Sequence, residues 1–235
     1  MLMFMRALPG RESRSSPQTP PAGVTRSSAR EDQRRRILRA VGELVASRGY
    51  NDVTVELIVK RARVSYKTFY KHFRSKEDSF LSLFDSVVGS TERRIRDRVA
   101  AESDSWGEGV AVALRTLVEL VVSDPIIARA VIVEAPTVGP EIVDRYERAI
   151  KALVPLFRAG REFNPRGADL PATIEDILAG SVFWSLNQRL IAGESERLHE
   201  LLPEVTLLVL RTYLGEPEAG RLAEEQLERL IAPSA

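Results

Sequence analysis

The residues best suited to binding chemistry are hydroxyl and cationic side chains clustered between Thr54 and Glu77. Lys67 and Lys71 are four residues apart, so in a helix they lie on one side, where like charges cost about 0.2–0.5 kcal/mol. Neighbouring tyrosine, threonine and histidine side chains can donate hydrogen bonds to phosphate oxygens. Because a polyanion outside the helix would offset the repulsion, the pattern indicates a phosphate-binding face. A solvated basic face on an ordinary helical hairpin is the alternative interpretation.

Two short helices joined by a tight corner must position this face. Thr54 is suited to cap the first helix, since apolar residues follow it at helical spacing. Ser65 is suited to cap the second helix, residues 66–73, and it comes so soon after Ala62 that only a turn fits between them. A helix-turn-helix has this outline and lays its second helix in a major groove of DNA.

The order of residues around the corner is as informative as their types. The positions that carry the pattern are Thr54-Val55, Ile58, Ala62, Val64-Ser65, Thr68-Phe69-Tyr70, His72-Phe73 and Ser75-Lys76-Glu77, preceded by Arg36-Ile37-Leu38-Arg39-Ala40 and Arg48-Gly49-Tyr50. This stretch resembles the DNA-binding head of the tetracycline-repressor (TetR) family of transcriptional regulators. The family usually has glycine at the corner, where this chain has Arg63, so a left-handed backbone there would strain a non-glycine residue.

The resemblance implies that the second helix reads bases and that its neighbours hold phosphates. Tyr66 and Lys67 are the predicted base contacts, because a residue near the start of the helix can reach base edges in a major groove. The rest of the predicted DNA-binding set is Thr54, Ser65, Thr68, Tyr70, Lys71, His72 and Lys76.

Composition narrows the class of protein. The 235 residues include 44% hydrophobic residues, enough for a substantial core, and no cysteine, which excludes a disulfide framework and a thiolate metal site. No apolar run approaches the roughly 18 residues of a membrane span, and the apolar start is too short for a signal peptide. We therefore expect a cytoplasmic protein with no membrane partner, cofactor or metal.

The formal net charge of +1 conceals an uneven distribution. Up to Lys76 the chain has 17 Lys and Arg against 6 Asp and Glu, a net +11, whereas the remainder has 17 against 27, a net −10. This asymmetry is typical of a nucleic-acid-binding head on a body that does not bind nucleic acid.

Helical periodicity continues after the head, and no alternating strand pattern interrupts it, so the predicted fold is all-α. It has an N-terminal three-helix helix-turn-helix domain followed by a larger helical ligand-binding and dimerisation domain. The predicted segments are a disordered basic tail (1–29), the helix-turn-helix domain (30–77), the effector-binding and dimerisation domain (78–215) and a C-terminal tail with at most a short helix (216–235). The basic tail is either inert or an arm that enters the minor groove through Arg11, Arg14, Arg26 and Arg30.

The body is predicted to contain helices over 76–101, 106–123, 125–135, 140–163 with a kink at Pro155, 171–192 and 196–214. The resemblance implies that the last two form a four-helix bundle between two subunits, and that the body encloses a small-molecule site. Polar residues in apolar surroundings are candidates for that site, although each of them could simply belong to the core. They are Arg115, Glu119, Tyr146, Trp184, Asn187 and Gln188.

The sequence contains little that would support catalysis. His72 falls in the second helix of the corner and His199 stands alone, and no Gly-rich phosphate loop, HExxH or GxSxG occurs. The sequence therefore predicts a non-enzymatic, ligand-responsive transcriptional regulator that binds a partly palindromic DNA operator as a homodimer. A repressor is favoured over an activator. The alternative is a helical ligand-binding or structural protein without specific DNA binding, and a helical enzyme is a remote third.

Overall fold

The computed structural model describes residues 22–165 and 167–231, and these residues form eleven α-helices with no strand among them. The predicted all-α fold is confirmed. We call α1–α3 with the start of α4 the head, and the rest the body. The helices are α1 (Ala22–Arg48), α2 (Val55–Ala62), α3 (Tyr66–His72), α4 (Lys76–Glu102), α5 (Trp106–Ser123), α6 (Pro125–Arg129), α7 (Pro140–Lys151), α8 (Val154–Arg158), α9 (Ile174–Ala192), α10 (Leu201–Leu214) and α11 (Glu216–Ile231).

The short helices of the head begin at the predicted caps. Thr54 Oγ1 accepts a hydrogen bond from the Leu57 amide at 3.3 Å, and Ser65 Oγ accepts one from the Thr68 amide at 3.1 Å. Arg63 ends α2 in the left-handed conformation, with φ 53° and ψ 50°. That conformation costs a non-glycine residue roughly 1–2 kcal/mol. The packing of α2 against α3 therefore holds the corner, against the conformational preference of Arg63.

Helix α1 is longer than predicted. It begins at Ala22, inside the segment 1–29 that the sequence predicts to be a disordered basic tail. The pair Pro20-Pro21 is the last strong helix breaker in the sequence before this point, and the residues after it, including alanine and arginine, tolerate a helix. Residues 1–21 and the side chain of Arg26 lie outside the described part of the chain, as does most of the predicted minor-groove arm.

The predicted helix over 140–163 is divided in two. Helix α7 ends at Lys151, and Pro155 lies in the first turn of α8. The N–H groups of a first turn have no partner within the helix, so the missing N–H of proline costs no hydrogen bond there. The proline therefore produces a break rather than a kink. Similarly, α9 begins at Ile174 instead of Pro171, and a 3-10 segment at Ser195–Glu200 precedes α10.

Helix α6 continues as a π-helical segment, Ala130–Glu134, and it belongs to both halves of the molecule. Ala130 and Val131 are buried in the hydrophobic cluster of the head, together with Phe69 and Phe80, whereas Ile132 is buried in the cluster of the body. The core of the head is therefore completed by a segment of the body.

Helix α5 is the centre of the body. Its residues from Val110 to Val118 are all buried, including Arg115. Helix α11 lies in the tail where the sequence predicted at most a short helix. It packs beside α5 and α10 and buries Leu222, Ala223 and Gln226, so it is part of the core of the body. Within the described residues, no helix is long and apolar enough to cross a membrane.

Candidate nucleic-acid interface and effector cavity

Helix α3 has a buried aromatic side and an exposed cationic side. Phe69 and Phe73 are 0% and 3% exposed, and their ring centroids lie 5.8 Å apart in the core of the head. The anchoring of these rings fixes the rotation of α3 about its axis, so four predicted DNA-binding side chains point to solvent. These are Tyr66, Lys67, Tyr70 and Lys71.

The hydroxyl groups at the corner serve as caps and also line the same surface. Ser65 Oγ and Thr68 Oγ1 lie 2.9 Å apart, and Thr54 and Ser65 are exposed at the starts of α2 and α3. One hydroxyl of the Ser65–Thr68 pair donates to the other, so the hydrogen of its partner and that of Thr54 can turn outward.

His72 lies between α3 and α1 rather than on the outer face of α3. Its Nε2 is 3.5 Å from Gln33 Oε1, and the ring is half-buried. Burial lowers the pKa of His72, and the neighbouring charges of Arg30, Lys71 and Arg34 lower it further. Arg34 of α1 is exposed, and its guanidinium lies 5.6 Å from the Phe73 ring centroid, so α1 extends the basic surface beside α3.

Lys76 anchors the start of α4 to the head. Its ammonium donates to the Tyr50 carbonyl at 3.0 Å and lies 4.0 Å from the centroid of the Tyr50 ring. Burial lowers the pKa of Lys76, and the nearby carboxylate of Asp52 opposes that shift. An ammonium has three donors, so Lys76 can hold Tyr50 and an external phosphate at once.

The start of the body is clamped to the head through α6. Arg129 donates to the Ala46 carbonyl on α1 at 3.3 Å and to the Leu190 carbonyl on α9 at 2.7 Å. A Cβ on Gly42 would lie 2.2 Å from Ile127 Cδ1, so α1 and α6 are in close contact. A displacement of α6 would therefore displace α1 as well.

A cavity of about 230 Å³ lies between α4, α5, α6 and α7, with Phe183 of α9 at one side. Its walls are mainly apolar, and they include Val131, which also belongs to the core of the head. A wider groove of about 600 Å³ opens to solvent between α1, α6 and the end of α9, but its open shape suits it less well to enclosing a small molecule.

Tyr146 is the one predicted effector residue in the cavity wall. Its hydroxyl donates to the Ile132 carbonyl at 2.8 Å, and burial raises the pKa of Tyr146. Asn187 stands just behind the wall, where its Nδ2 donates to the same carbonyl at 3.3 Å. Trp184 and Gln188 lie on the outer side of α9, away from the cavity.

Arg115 and Glu119 belong to an ionic network outside the cavity. Arg115 pairs with Glu102 and Glu119, and Arg98 pairs with the same two carboxylates. Arg115 Nε also donates to Gln226 Oε1 at 2.8 Å. The hydrogen bond from Arg98, opposed by burial and aided by Arg115, lowers the pKa of Glu102. The network joins α4, α5 and α11, so these residues stabilise the body.

Residues 37–83 match the family model described as bacterial regulatory proteins, tetR family. The head is therefore a DNA-binding domain of the TetR family. This is a family of helix-turn-helix transcriptional regulators, not of enzymes. The TetR-like head also aligns with the fatty acid metabolism regulator protein of Bacillus subtilis, at 35% identity over 63 residues, which is 27% of this chain and 32% of that protein. The chain thus matches about a third of the length of this curated relative.

Solved structures extend the likeness from the head to the fold of the body. The fatty acid degradation regulator FadR of Bacillus halodurans has a TM-score of 0.67 at 22% identity, covering 76% of this chain and 94% of that one. FadR of Bacillus subtilis, in complex with stearoyl-CoA, has a TM-score of 0.56 at 18% identity, covering 86% and 99%. The head and the larger helical domain therefore share one architecture with these regulators.

Proposed function

We propose that this TetR-family protein is a transcriptional repressor that binds a partly palindromic operator as a homodimer and leaves it when a small apolar effector binds. The observation that carries the proposal is the exposed cationic face of α3, held outward by the buried rings of Phe69 and Phe73. Operator binding requires access to the chromosome, so the proposal places the protein in the bacterial cytoplasm.

The exposed face of α3 divides into two kinds of DNA contact. Tyr66 and Lys67, at the start of the helix, would contact base edges in the major groove. In a dimer, the two copies of α3 would enter successive major grooves about 34–36 Å apart. The remaining contacts would go to phosphates, from Thr54, Ser65, Thr68, Tyr70, Lys71 and Lys76.

An apolar stripe along α9 supports the homodimer. Ile177, Trp184 and Ile191 are 57%, 65% and 53% exposed, and their spacing of seven residues places them on one face of the helix. A Cβ on Gly180 would meet no described atom within 4 Å, so a second copy could approach closely there. Leu208 extends the exposed apolar surface onto α10. Such a surface is typical of an interaction site, and it lies on the two helices that the family resemblance implied.

The contacts of α6 and its π-helical extension support control of the head by an effector. Ile127 and Val131 line the cavity. The guanidinium of Arg129 donates both to α1 and to the Leu190 carbonyl near the end of α9, the helix that carries the apolar stripe. An effector that fits the cavity better when α6 is displaced would favour the dimer shape that no longer fits the operator. The stearoyl-CoA complex of Bacillus subtilis FadR supports an effector with a hydrocarbon chain for this architecture.

A gel shift with the upstream region of its own gene, at low and raised salt, tests the proposal. We expect a retarded complex that weakens steeply with salt, and a dimer by light scattering. A monomer that ignores duplex DNA at low salt would favour the alternative, a helical ligand-binding or structural protein.

A further inference from the structure

The cavity walls contain no positive charge. Among the described residues that line it, none is lysine, arginine or histidine. The charged residues are Glu92 of α4 and Asp124 at the start of α6, both acidic. Asp124 is already paired with Arg39, and it also accepts from the Ile127 amide at 3.2 Å. An anionic ligand would therefore lose its hydration without gaining a cationic partner.

The hydroxyl groups of the wall mostly offer acceptors. Ser90 donates to the Val87 carbonyl at 2.8 Å, Ser123 to the Leu120 carbonyl at 2.9 Å, and Tyr146 to the Ile132 carbonyl at 2.8 Å. Each of these hydroxyls has used its single hydrogen and keeps an oxygen that can accept. Thr91 is the remaining hydroxyl of the lining, and its hydrogen is free to rotate. A ligand that donates a hydrogen bond therefore suits this wall better than one that only accepts.

We infer that the cavity selects an uncharged, mainly hydrocarbon ligand with one hydrogen-bond donor, and that it takes carboxylic acids only in their protonated form. This inference rests on the proposed function, since it specifies the chemistry of the effector. At about 30 Å³ for each water-sized group, the cavity of about 230 Å³ holds about eight such groups, which makes an eight-carbon alcohol a suitable probe.

A comparison of octan-1-ol with octanoic acid across pH tests the inference. An ordinary carboxyl group has a pKa of about 4.3, so at pH 7.4 roughly one acid molecule in 1,000 is neutral. We expect octanoic acid to bind about 1,000-fold more weakly than octan-1-ol at pH 7.4. Its apparent Kd should fall about tenfold for each unit by which the pH is lowered, down to about pH 5.4. Octan-1-ol does not titrate. Any change of its Kd with pH would therefore come from groups of the cavity wall, such as Glu92, Asp124 or Tyr146, and not from the ligand.

The measurement is isothermal titration calorimetry with the full-length protein. A Kd for octanoic acid that is independent of pH and within tenfold of the alcohol would overturn the inference, because the site would then hold the carboxylate. Absence of binding by both probes would overturn it as well. A gel shift on the same preparation separates these failures from a failure of the proposed DNA binding.

Of the three hydroxyls that offer acceptors, Tyr146 is half-buried, whereas Ser90 and Ser123 are exposed to water, so we assign Tyr146 as the acceptor for the donor of the ligand. Tyr146→Phe tests this assignment. Octyl methyl ether has no donor, so we expect the wild type to prefer octan-1-ol over the ether by about 2- to 12-fold, the value of one neutral hydrogen bond. The preference should vanish in Tyr146→Phe. The Ile132 carbonyl keeps a partner there, since Asn187 still donates to it. Tyr213→Phe, the same change at a buried tyrosine outside the cavity lining, should keep the preference. A preference that survives in Tyr146→Phe would overturn the assignment of Tyr146 as acceptor.

Discussion

The head and the body present functional surfaces of opposite kinds. The surface of the head is convex and cationic, and its residues are neighbours in sequence between Thr54 and Lys76. The cavity of the body is concave and apolar, and its walls come from five helices. Binding to the first surface should depend steeply on salt, whereas binding in the second should depend on apolar burial. In the proposed function, one chain therefore separates its DNA chemistry from its ligand chemistry.

The two surfaces nevertheless share one structural element. Val131 is buried in the core of the head and also lines the cavity, and Arg129 joins α1 to α9. A ligand in the cavity therefore contacts the segment that completes the head. The predictions below act on one surface at a time, from the largest expected effect to the smallest.

Phe69→Ala should strongly lower the stability of the head. The ring is 0% exposed, and removing a buried phenylalanine costs about 3–5 kcal/mol. Urea unfolding measures the loss of stability. Tyr70→Ala is the matched control, because Tyr70 is 56% exposed and its removal should change the free energy of unfolding by less than about 0.5 kcal/mol. Equal destabilisation by both variants would contradict the assignment of buried and exposed sides of α3.

Trp184→Glu should separate the subunits and leave the head folded. A large aromatic residue at the centre of an interface commonly contributes about 2 kcal/mol or more, which corresponds to a dimer dissociation constant at least about 30-fold higher. Sedimentation equilibrium measures this constant. Val143→Glu places the same charge at another exposed apolar residue, which is 48% exposed on α7, and should leave the dimer intact.

Lys71→Ala should weaken binding to every DNA sequence and reduce the slope of log Kobs against log salt by about one unit per phosphate that the lysine neutralises. Lys67→Ala should instead relax preference at particular base pairs, by about 1–3 kcal/mol. Fluorescence anisotropy over a salt series distinguishes the two effects. Lys151→Ala removes an exposed lysine of the body and should change neither quantity. An unchanged slope in Lys71→Ala would argue against a phosphate contact.

The smallest effect concerns acid stability of the head. Burial and three neighbouring cations lower the pKa of His72 in the folded chain below its ordinary value of 6.5. The unfolded chain therefore binds the proton more readily, and stability should be lost as the pH falls through 6.5. His72→Gln should flatten the dependence of the urea midpoint on pH between 7.5 and 5.5. A dependence as steep in His72→Gln as in the wild type would contradict the half-buried position of His72 between α3 and α1.

The sequence predicted the head well because its determinants are local. The caps Thr54 and Ser65 bond to amides three residues away, and the tight spacing fixes the corner at Arg63. Even there, the inward turn of His72 toward Gln33 depends on α1, which lies 39 residues away in sequence and could not be inferred from α3 alone.

The cavity was harder to predict because helix faces in the body depend on packing. Helix α9 is apolar on several sides, so periodicity could not decide that Trp184 faces solvent while Leu186 is buried. Arg115 is a polar group in apolar surroundings, as the sequence indicates, but its partner Gln226 lies 111 residues away on α11. Hydrogen bonding of this kind removes a candidate from the effector site, and it becomes visible only when the helices are assembled.

The central claim is that the cationic face of α3 binds DNA phosphates in two copies. The most direct measurement is the affinity of the purified protein for the upstream region of its own gene between about 50 and 200 mM salt, read by fluorescence anisotropy. With Lys71 and Lys76 on each of two heads holding phosphates, log Kobs should fall against log salt with a slope of about −3.6 or steeper. A slope near zero, or no binding at the lowest salt concentration, would contradict the account.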